Sequence, residues 1–445
     1  MRHILSEELV LNGSRSGVPG VTVLKDGHAV SRSSDWIMYA VEAEHIGKVV
    51  KEYGPCMCFI LFIYSYIYAF KATKMGAIVA GQTSVKAPER EAFEEHLPTD
   101  VHIVSCHSLH GPSISPFGQP LVLIHHRGPT VALTLVESIL KPFRSRFVYM
   151  TFEEHDNLTA NTQAVTHAAF LSMGTAWHND YEYPWETPQG RYTGGIEIVK
   201  VNITHRIYSN KWHVYAGLAI LNPSAKVQIE QYARSVTELF KLILDKNESG
   251  LRKRVHEARE KVFLQNASAN VRPILLSEDF LDKFNLGTPR DRAGLPPTAS
   301  GPDDVETTTT PSHASGSNSH LSLLAMADCW AALSINPFQH LSVAATPIFR
   351  MWIGVAEYLF RDTDRLNAAL DAALWDSQYR SNDMEFVLAA RAWSECVQFG
   401  SFELYRRRFE STAQFFSPRF AEAQALSDKM IKAILEEADG DEMTK

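Results

Sequence analysis

The sequence predicts an α/β domain with a mostly parallel sheet at its N-terminal side, followed by all-α domains. Between about residues 36 and 130, apolar runs of strand length alternate with polar or helical segments, a pattern typical of parallel strands joined by helices. From residue 150 onward, apolar residues recur with the 3.6-residue period of α-helices, and strand signals are few. At 445 residues the chain is also too long for one hydrophobic core, so several domains are expected.

Four apolar runs in the first part predict strands, at residues 35–41, 75–81, 101–106 and 120–125, and the segment 43–53 alternates like a helix. Glu42, Ser84 and His107 each follow one of these runs. Because functional groups of α/β sheets gather at the carboxyl ends of the strands, we expect these three residues to share a crevice.

The helical segment 153–223 carries polar residues at positions where a folding core would place leucine. Two runs have helical spacing, and we interpret each as one polar stripe on a helix: Ala160, Ala164, His167, Leu171 and Gly174, and then Arg206, Asn210, His213 and Gly217. A guanidinium and imidazoles that line a cavity suit an anionic ligand, a carboxylate above all. The alternative is a solvated helix face with a satisfied core histidine.

The domain boundaries are expected at changes in composition. An α/β domain at 1–148 precedes a helical domain at 149–285, a disordered linker at 286–318 that is rich in Pro, Gly, Ser and Thr, and a second helical domain at 319–437. The second helical domain is hypothesised to be a diverged duplicate of the first. Residues such as Trp177 and Trp330 match at an offset of 153, whereas Arg206 pairs with Arg350 at an offset of 144. Chance matching of common residues is the alternative.

Composition excludes several classes of function. A net charge of -8 and the absence of a basic run argue against nucleic acid as a partner. Five scattered cysteines and an N-terminus without the apolar core of a signal peptide indicate a cytoplasmic protein. The most hydrophobic run, CMCFILFIYSYIYAF at 56–70, is shorter than the roughly 20 residues that span a bilayer. We favour an insertion foreign to the fold over a core or edge segment or a membrane anchor.

Four motifs resemble the prephenate dehydrogenases, and most closely their fungal NADP-dependent branch. They are GQTSVKAPE at 81–89, SCHSLHGP at 105–112, EEHDNLTANTQAVTHAAFLSMG at 153–174 and HRIYSNKWHVYAGLAILNPSA at 205–225. The resemblance extends from about residue 25 to the end, apart from 56–70 and the linker. It implies oxidative decarboxylation of prephenate to 4-hydroxyphenylpyruvate in tyrosine biosynthesis, with NADP as the hydride acceptor.

The resemblance also implies roles for individual residues. His107 aligns with the catalytic histidine that takes the hydroxyl proton, a task that suits a near-neutral imidazole. Ser84 aligns with a serine beside that hydroxyl, and Arg206 with the arginine that binds a substrate carboxylate. His167 aligns with a second histidine of the substrate pocket. Weaker candidates for the same pocket are Asn210 and Lys211, and His110 is a less favoured alternative to His107.

One departure from the family pattern concerns the cofactor. A Rossmann-type domain begins with a strand, a GxGxxG turn and a helix that hold the pyrophosphate, but the only glycine cluster here, at residues 13–20, has another spacing. The sequence therefore predicts an incomplete Rossmann-type domain, with Val41 and Glu42 as the remaining candidates for cofactor contacts. We expect poor NADP binding and little activity.

Two questions stay open from the sequence. The alternative to an enzyme is a catalytically dead homologue that keeps its helices as an interaction or dimerisation module. Helical domains of this family usually dimerise, but an in-chain duplicate could supply the second half of that interface. The chain is therefore expected to be either a homodimer or a pseudo-dimeric monomer.

Overall fold

A computed structural model describes residues 3–6, 21–54, 73–110, 115–181, 183, 185, 195–264, 318–344, 347–377 and 380–439. The apolar run 56–70, the glycine cluster at 13–20 and the predicted linker 286–318, apart from its last residue, lie outside this description. The expectations for those three segments therefore stay predictions.

The chain divides into two compact units. The first comprises Met1–Ala160 and Tyr215–Ala225, and the second comprises Asn161–Val214 and Lys226–Lys445. This division differs from the predicted boundaries, because most of the two helical segments predicted as separate domains falls into one unit. The physical reason is that helices from both segments pack against each other, as described below.

Within the described residues, the first unit contains seven strands. β1 (His3–Ser6) and β2 (Val21–Leu24) form a parallel pair of their own. β3 (Trp36–Tyr39), β4 (Ile78–Gly81), β5 (His102–Ser108), β6 (Pro120–Arg127) and β7 (Arg146–Tyr149) form a second sheet in that order. All neighbours in the second sheet are parallel except β5 and β6, which are antiparallel. The predicted mostly parallel sheet is confirmed, and the antiparallel pair is an addition to it.

The helices of the first unit are α1 (Gly27–Ser33), α2 (Ile46–Tyr53), α3 (Ala87–His96), α4 (Thr130–Leu140) and α5 (Phe152–Thr159). A capping box starts α5: Thr151 Oγ1 accepts from Glu154 N at 3.1 Å, and Glu154 Oε2 accepts from Thr151 N at 2.7 Å. Alternate residues of the central strands pack against α4 in one apolar cluster, formed by Ile78, Ala80, Val104, Cys106, Leu121, Leu123, Ala132, Val136 and Leu140.

Helices make up the second unit, after a π-helical turn at Ala160–Ala164. They are α6 (Val165–Asn179), α7 (Gly195–Tyr208), α8 (His213–Leu221), α9 (Pro223–Leu244), α10 (Glu248–Arg259), α11 (Leu321–Ala332), α12 (Leu341–Ala344), α13 (Pro347–Arg361), α14 (Thr363–Trp375), α15 (Arg380–Phe399), α16 (Phe402–Phe416) and α17 (Phe420–Asp439). α8 and the start of α9 supply Tyr215–Ala225 to the first unit. No helix in the described ranges is both long and apolar enough to cross a bilayer.

The two halves of the helical segment correspond at a single offset. A shift of 153 residues places α6, α7, α9 and α10 over α11, α13, α15 and α16. The pairing of Arg206 with Arg350 was therefore wrong, because Arg206 lies in the last turn of α7 whereas Arg350 lies in the first turn of α13. The same shift brings Arg206 to Leu359.

Packing between the halves is reciprocal. α6 packs against α15 and α16, and Trp393 Nε1 donates to Thr175 Oγ1 at 2.9 Å. In the same manner α11 packs against α10, and Tyr232 of α9 donates through its hydroxyl to the Ser322 carbonyl at 3.1 Å. The first helix of each half thus packs on the later helices of the other. Such an exchange is what a duplicated half would give, and the duplication itself stays a prediction.

Candidate functional site

The loop after β4 carries Ser84 and lies beside the end of β5. Gln82 Nε2 donates to Ser108 Oγ at 2.7 Å, and the backbone N–H of Gln82 donates to the Tyr39 carbonyl at 3.1 Å. These bonds tie the loop to β5 on one side and to β3 on the other. Ser84 is half-buried in this loop, and His107 is buried near the carboxyl end of β5. The predicted gathering of Ser84 and His107 at one edge of the sheet is consistent with this geometry.

A fully buried ion pair fixes the loop from beneath. Lys86 Nζ donates to Glu89 Oε1 and Oε2 at 3.0 and 2.9 Å, to the Gly81 and Cys106 carbonyls at 3.0 Å each, and to Ser105 Oγ at 3.1 Å. Both charged side chains have no exposed surface. Because Lys86 binds the carbonyls that end β4 and lie near the end of β5, it holds the two strand ends together. Its role is therefore to build the edge on which His107 lies.

A row of three side chains crosses from β5 to α5. His107 Nδ1 lies 2.8 Å from His155 Nε2, and His155 Nδ1 lies 3.0 Å from Asp156 Oδ1. Asp156 also accepts from two backbone N–H groups at the start of α3, those of Lys86 and Ala87, at 2.7 Å each. A carboxylate at a helix N-terminus is stabilised by such donors. The row thus links the candidate base to the helix that follows the Ser84 loop.

Burial changes the protonation of this row. Burial, with the nearby charges of His155, Lys86 and His110, lowers the pKa of His107 well below its ordinary value. Burial and Lys86 lower the pKa of His155 in the same way. Burial raises the pKa of Asp156 to about 6, against the lowering effect of its two backbone donors and of Lys86. At neutral pH both imidazoles are therefore neutral and Asp156 is ionised, which leaves His107 able to accept a proton.

The second unit carries the predicted substrate-binding residues. His167 lies in α6, where burial lowers its pKa to about 3. Arg206 lies in the last turn of α7, and its Nη1 donates to Asp428 Oδ1 of α17 at 2.7 Å. Asn210 Nδ2 donates back to the Arg206 carbonyl at 2.9 Å, and Lys211 is exposed in the next turn. Arg206, Asn210 and Lys211 are thus neighbours at one helix end.

The first predicted polar stripe was wrong. Ala160 and Ala164 belong to the π-helical turn, whose extra residue per turn rotates them away from the spacing assumed for His167. Gly174 leaves no room for a ligand beside the imidazole, because a Cβ there would overlap Tyr208 Cε2. The small residue instead lets α6 and α7 approach each other closely.

The second predicted stripe was also wrong. α7 ends at Tyr208 and α8 begins at His213, so Arg206, Asn210 and His213 do not share one helix. The break is local in origin: the Asn210 side chain and its backbone N–H bond to the carbonyls of Arg206 and Ile207, which a continuing helix would have used.

Comparison with known proteins identifies the family. Residues 164–436 match a family model described as a 6-phosphogluconate dehydrogenase C-terminal domain. The chain is 48% identical to the probable prephenate dehydrogenase [NADP(+)] of Schizosaccharomyces pombe, over 94% of this chain and 88% of that protein. It is 45% identical to the prephenate dehydrogenase [NADP(+)] of Saccharomyces cerevisiae, over 93% and 83%. The chain belongs to the prephenate dehydrogenase family. Within that family its place is the fungal branch.

Solved structures of the prephenate dehydrogenase family have a lower similarity. The enzyme of Aquifex aeolicus, in complex with hydroxyphenyl propionate and NAD+, has a TM-score of 0.39 and 18% identity, over 53% of this chain and 78% of that one. Arogenate dehydrogenase of Synechocystis has a TM-score of 0.32 and 16% identity, over 52% and 78%.

The candidate cofactor residues of this family member lie after β3. Val41 is partly buried and Glu42 is exposed, and the Glu42 carbonyl accepts from His45 N at 2.9 Å. A dinucleotide pyrophosphate needs backbone amides of a glycine-rich turn, and a 2′-phosphate needs a cation. Glu42 offers a like charge instead. Val41 and Glu42 therefore do not account for the phosphates of NADP.

His155 and Asp156 were missed as functional residues of this prephenate dehydrogenase family member. They stand side by side in the EEHDN motif, which carried the family resemblance but no assigned role. The signal was a histidine next to an aspartate, a pair that can orient an imidazole. Sequence separation from His107 is 48 residues, so only the folded chain reveals that the two imidazoles meet.

Proposed function

We propose that this member of the family catalyses the oxidative decarboxylation of prephenate to 4-hydroxyphenylpyruvate, with NADP as the hydride acceptor, in tyrosine biosynthesis. The net reaction removes a hydride from the ring carbon that bears the hydroxyl group and releases the ring carboxylate as CO2. The observation that carries the proposal is His107, a buried neutral imidazole at the carboxyl end of β5 whose Nδ1 is already occupied by His155.

His107 is the base of the proposed reaction. Its Nε2 takes the proton of the substrate hydroxyl as the carbonyl forms, and the proton returns to that oxygen when loss of CO2 makes the ring aromatic. General-base catalysis of this kind contributes about 10²–10⁴-fold to a rate. Ser84, in the loop held beside β5, is proposed to hydrogen-bond near the same hydroxyl. The bonds from Gln82 and Lys86 support this role, because they fix the loop.

The second unit is proposed to bind the carboxylates of prephenate. Arg206 uses only Nη1 for Asp428 in the bonds described, and its guanidinium has a planar fork of donors that matches a carboxylate. His167 is proposed as a neutral hydrogen-bonding partner of the substrate, because its low pKa keeps it uncharged. Asn210 and Lys211 are proposed as weaker contacts, with Asn210 holding the helix end that carries Arg206.

Two variants test these roles in the full-length chain. His107→Asn should lower kcat by about 10²–10⁴-fold with little change in KM, because a base acts on the chemical step. Arg206→Ala should chiefly weaken prephenate binding, by about 10–100-fold, if a charged hydrogen bond of about 1.5–3 kcal/mol is lost. Arg234→Ala is the matched control, because Arg234 lies on α9 and pairs with Glu230 at 3.2 Å.

The measurements are NADPH formation, 4-hydroxyphenylpyruvate formation and calorimetric titration of prephenate. Binding of prephenate that depends on Arg206 supports the proposal. If prephenate neither binds nor turns over at any NADP concentration, the alternative of a catalytically dead helical interaction or dimerisation module gains. Equal effects of both variants on kcat and KM would count against the assigned roles.

We also infer a pseudo-dimeric monomer as the oligomeric state, with a homodimer as the alternative. The inference is supported by the reciprocal packing of α6 and α11 on the later helices of the opposite half. The two halves pack with each other as two subunits of a dimer would. Light scattering should therefore give the mass of one chain, 49.9 kDa, and twice that mass would contradict the inference.

A further inference from the structure

We propose that His155 and Asp156 are positioning residues that hold His107 in the tautomer with a hydrogen on Nδ1 and a lone pair on Nε2. The proposal rests on the proposed function, in which His107 Nε2 takes the substrate proton. It adds a reason why that nitrogen, and not Nδ1, is the basic one.

The direction of each hydrogen bond follows from Asp156. An ionised carboxylate can only accept, so the hydrogen between His155 Nδ1 and Asp156 Oδ1, which are 3.0 Å apart, belongs to His155. A neutral His155 then has a lone pair on Nε2. The 2.8 Å bond to His107 must therefore take its hydrogen from His107 Nδ1. One lone pair remains on His107, and it is on Nε2.

Asp156 is held so that it cannot turn away from His155. Its two oxygens accept from the backbone N–H groups of Lys86 and Ala87 at 2.7 Å each. Its own backbone carbonyl accepts from Asn222 Nδ2 at 2.8 Å, and Asn222 is fully buried. Because backbone N–H groups can only donate, they require acceptors on Asp156 and oppose its protonation. The row therefore has one end with a fixed polarity.

The charges around the row leave this polarity intact. Lys86 is the cation nearest in effect on all three groups, and its ammonium is paired with Glu89 at 2.9 Å. His110 adds a weaker influence on His107. Both imidazoles are buried, with 8% exposure for His107 and none for His155, so water does not compete for their bonds. The geometry thus favours one tautomer over the other.

The first test is Asp156→Asn in the full-length chain. The amide nitrogen can donate to His155 Nδ1, which would reverse each hydrogen bond and place a hydrogen on His107 Nε2. We expect kcat to fall by about 100-fold or more, the scale of general-base catalysis, with KM for prephenate changed less than about threefold. Glu153→Gln is the matched control: it makes the same change of charge on an exposed neighbour in α5 and should leave kcat unchanged.

A second readout does not depend on turnover. In protein with ¹⁵N-labelled histidine, NMR of the imidazole nitrogens identifies which nitrogen carries hydrogen, and His107→Asn assigns the signals. The native chain should show hydrogen on His107 Nδ1, and Asp156→Asn should move it to Nε2. If the native tautomer has hydrogen on Nε2, or if Asp156→Asn leaves the hydrogen where it was, the proposal is overturned. Loss of activity in every variant with the expected tautomers would instead count against the proposed function.

His155 provides a rescue experiment. His155→Gln can still accept from His107 through its carbonyl and donate to Asp156 through its amide, so it preserves the direction of the row. His155→Leu fills the space but makes neither bond. We expect His155→Gln to retain at least about ten times the kcat of His155→Leu, a ratio that corresponds to about 1.4 kcal/mol in the barrier. Equal kcat values for two folded variants would overturn the positioning role.

Discussion

Arg206 Nη1 donates to Asp428 Oδ1 at 2.7 Å, so the arginine proposed to bind a substrate carboxylate already binds a carboxylate of its own chain. The pair joins α7 to α17. Asp428 retains 58% exposure and Arg206 27%, and a pair this exposed contributes about 0–1 kcal/mol. Asp428 is therefore weak enough for an anionic ligand to displace.

Asp428→Asn should strengthen prephenate binding. The substitution removes an anion that competes for Arg206, so KM should fall by about two- to fivefold while kcat stays unchanged, in line with an interaction of up to about 1 kcal/mol. Glu422→Gln, on the same helix, is the control for a general change of charge. A higher KM for Asp428→Asn would show instead that Asp428 orients the guanidinium.

Glu89→Gln should destabilise the first unit strongly. Removal of one partner leaves the Lys86 ammonium buried without its counter-charge, which costs about 3–5 kcal/mol. Thermal unfolding of the purified chain should show a marked loss of midpoint temperature. The exposed pair Arg90 and Glu94 provides the matched control, and Glu94→Gln should change the midpoint little. Similar effects of Glu89→Gln and Glu94→Gln would contradict the assigned role of the buried pair.

Gly174→Ala should destabilise the second unit, because the added Cβ would overlap the ring of Tyr208 and lie 3.0 Å from Thr204 Cγ2. Overpacking of this kind costs about 1–3 kcal/mol. Gly47→Ala in α2 is the control, since a Cβ there meets nothing within 4 Å and alanine favours a helix. Thermal or denaturant unfolding measures both, and a Gly174→Ala midpoint at or above that of the native chain would refute the close-packing argument.

NADP binding by the chain as written should be weak. The sequence contains no GxGxxG turn, and Val41 and Glu42 do not supply the donors that dinucleotide phosphates need. Calorimetric titration with NADP measures the affinity directly, and NAD+ serves as the comparison that lacks the 2′-phosphate. Tight NADP binding, with normal turnover of prephenate, would refute this prediction and indicate that other residues hold the phosphates.

The sequence by itself determined the α/β and all-α classes, because strand and helix periods are local and depend on neighbours a few residues apart. Its long ungapped motifs also pointed to the family and to His107 and Arg206. It further predicted that Ser84 and His107 share one edge of the sheet, since carboxyl ends of parallel strands meet.

Tertiary structure alone decided which distant groups meet. The bond between His107 and His155 spans 48 residues, and the bond between Arg206 and Asp428 spans 222, so no periodicity in the sequence reveals either. The polar stripes failed for a related reason. They assumed unbroken α-helices, whereas a π-helical turn at Ala160–Ala164 and the helix end at Tyr208 change the phase of the side chains. Side-chain partners and helix phase depend on packing across the whole fold, which local sequence does not encode.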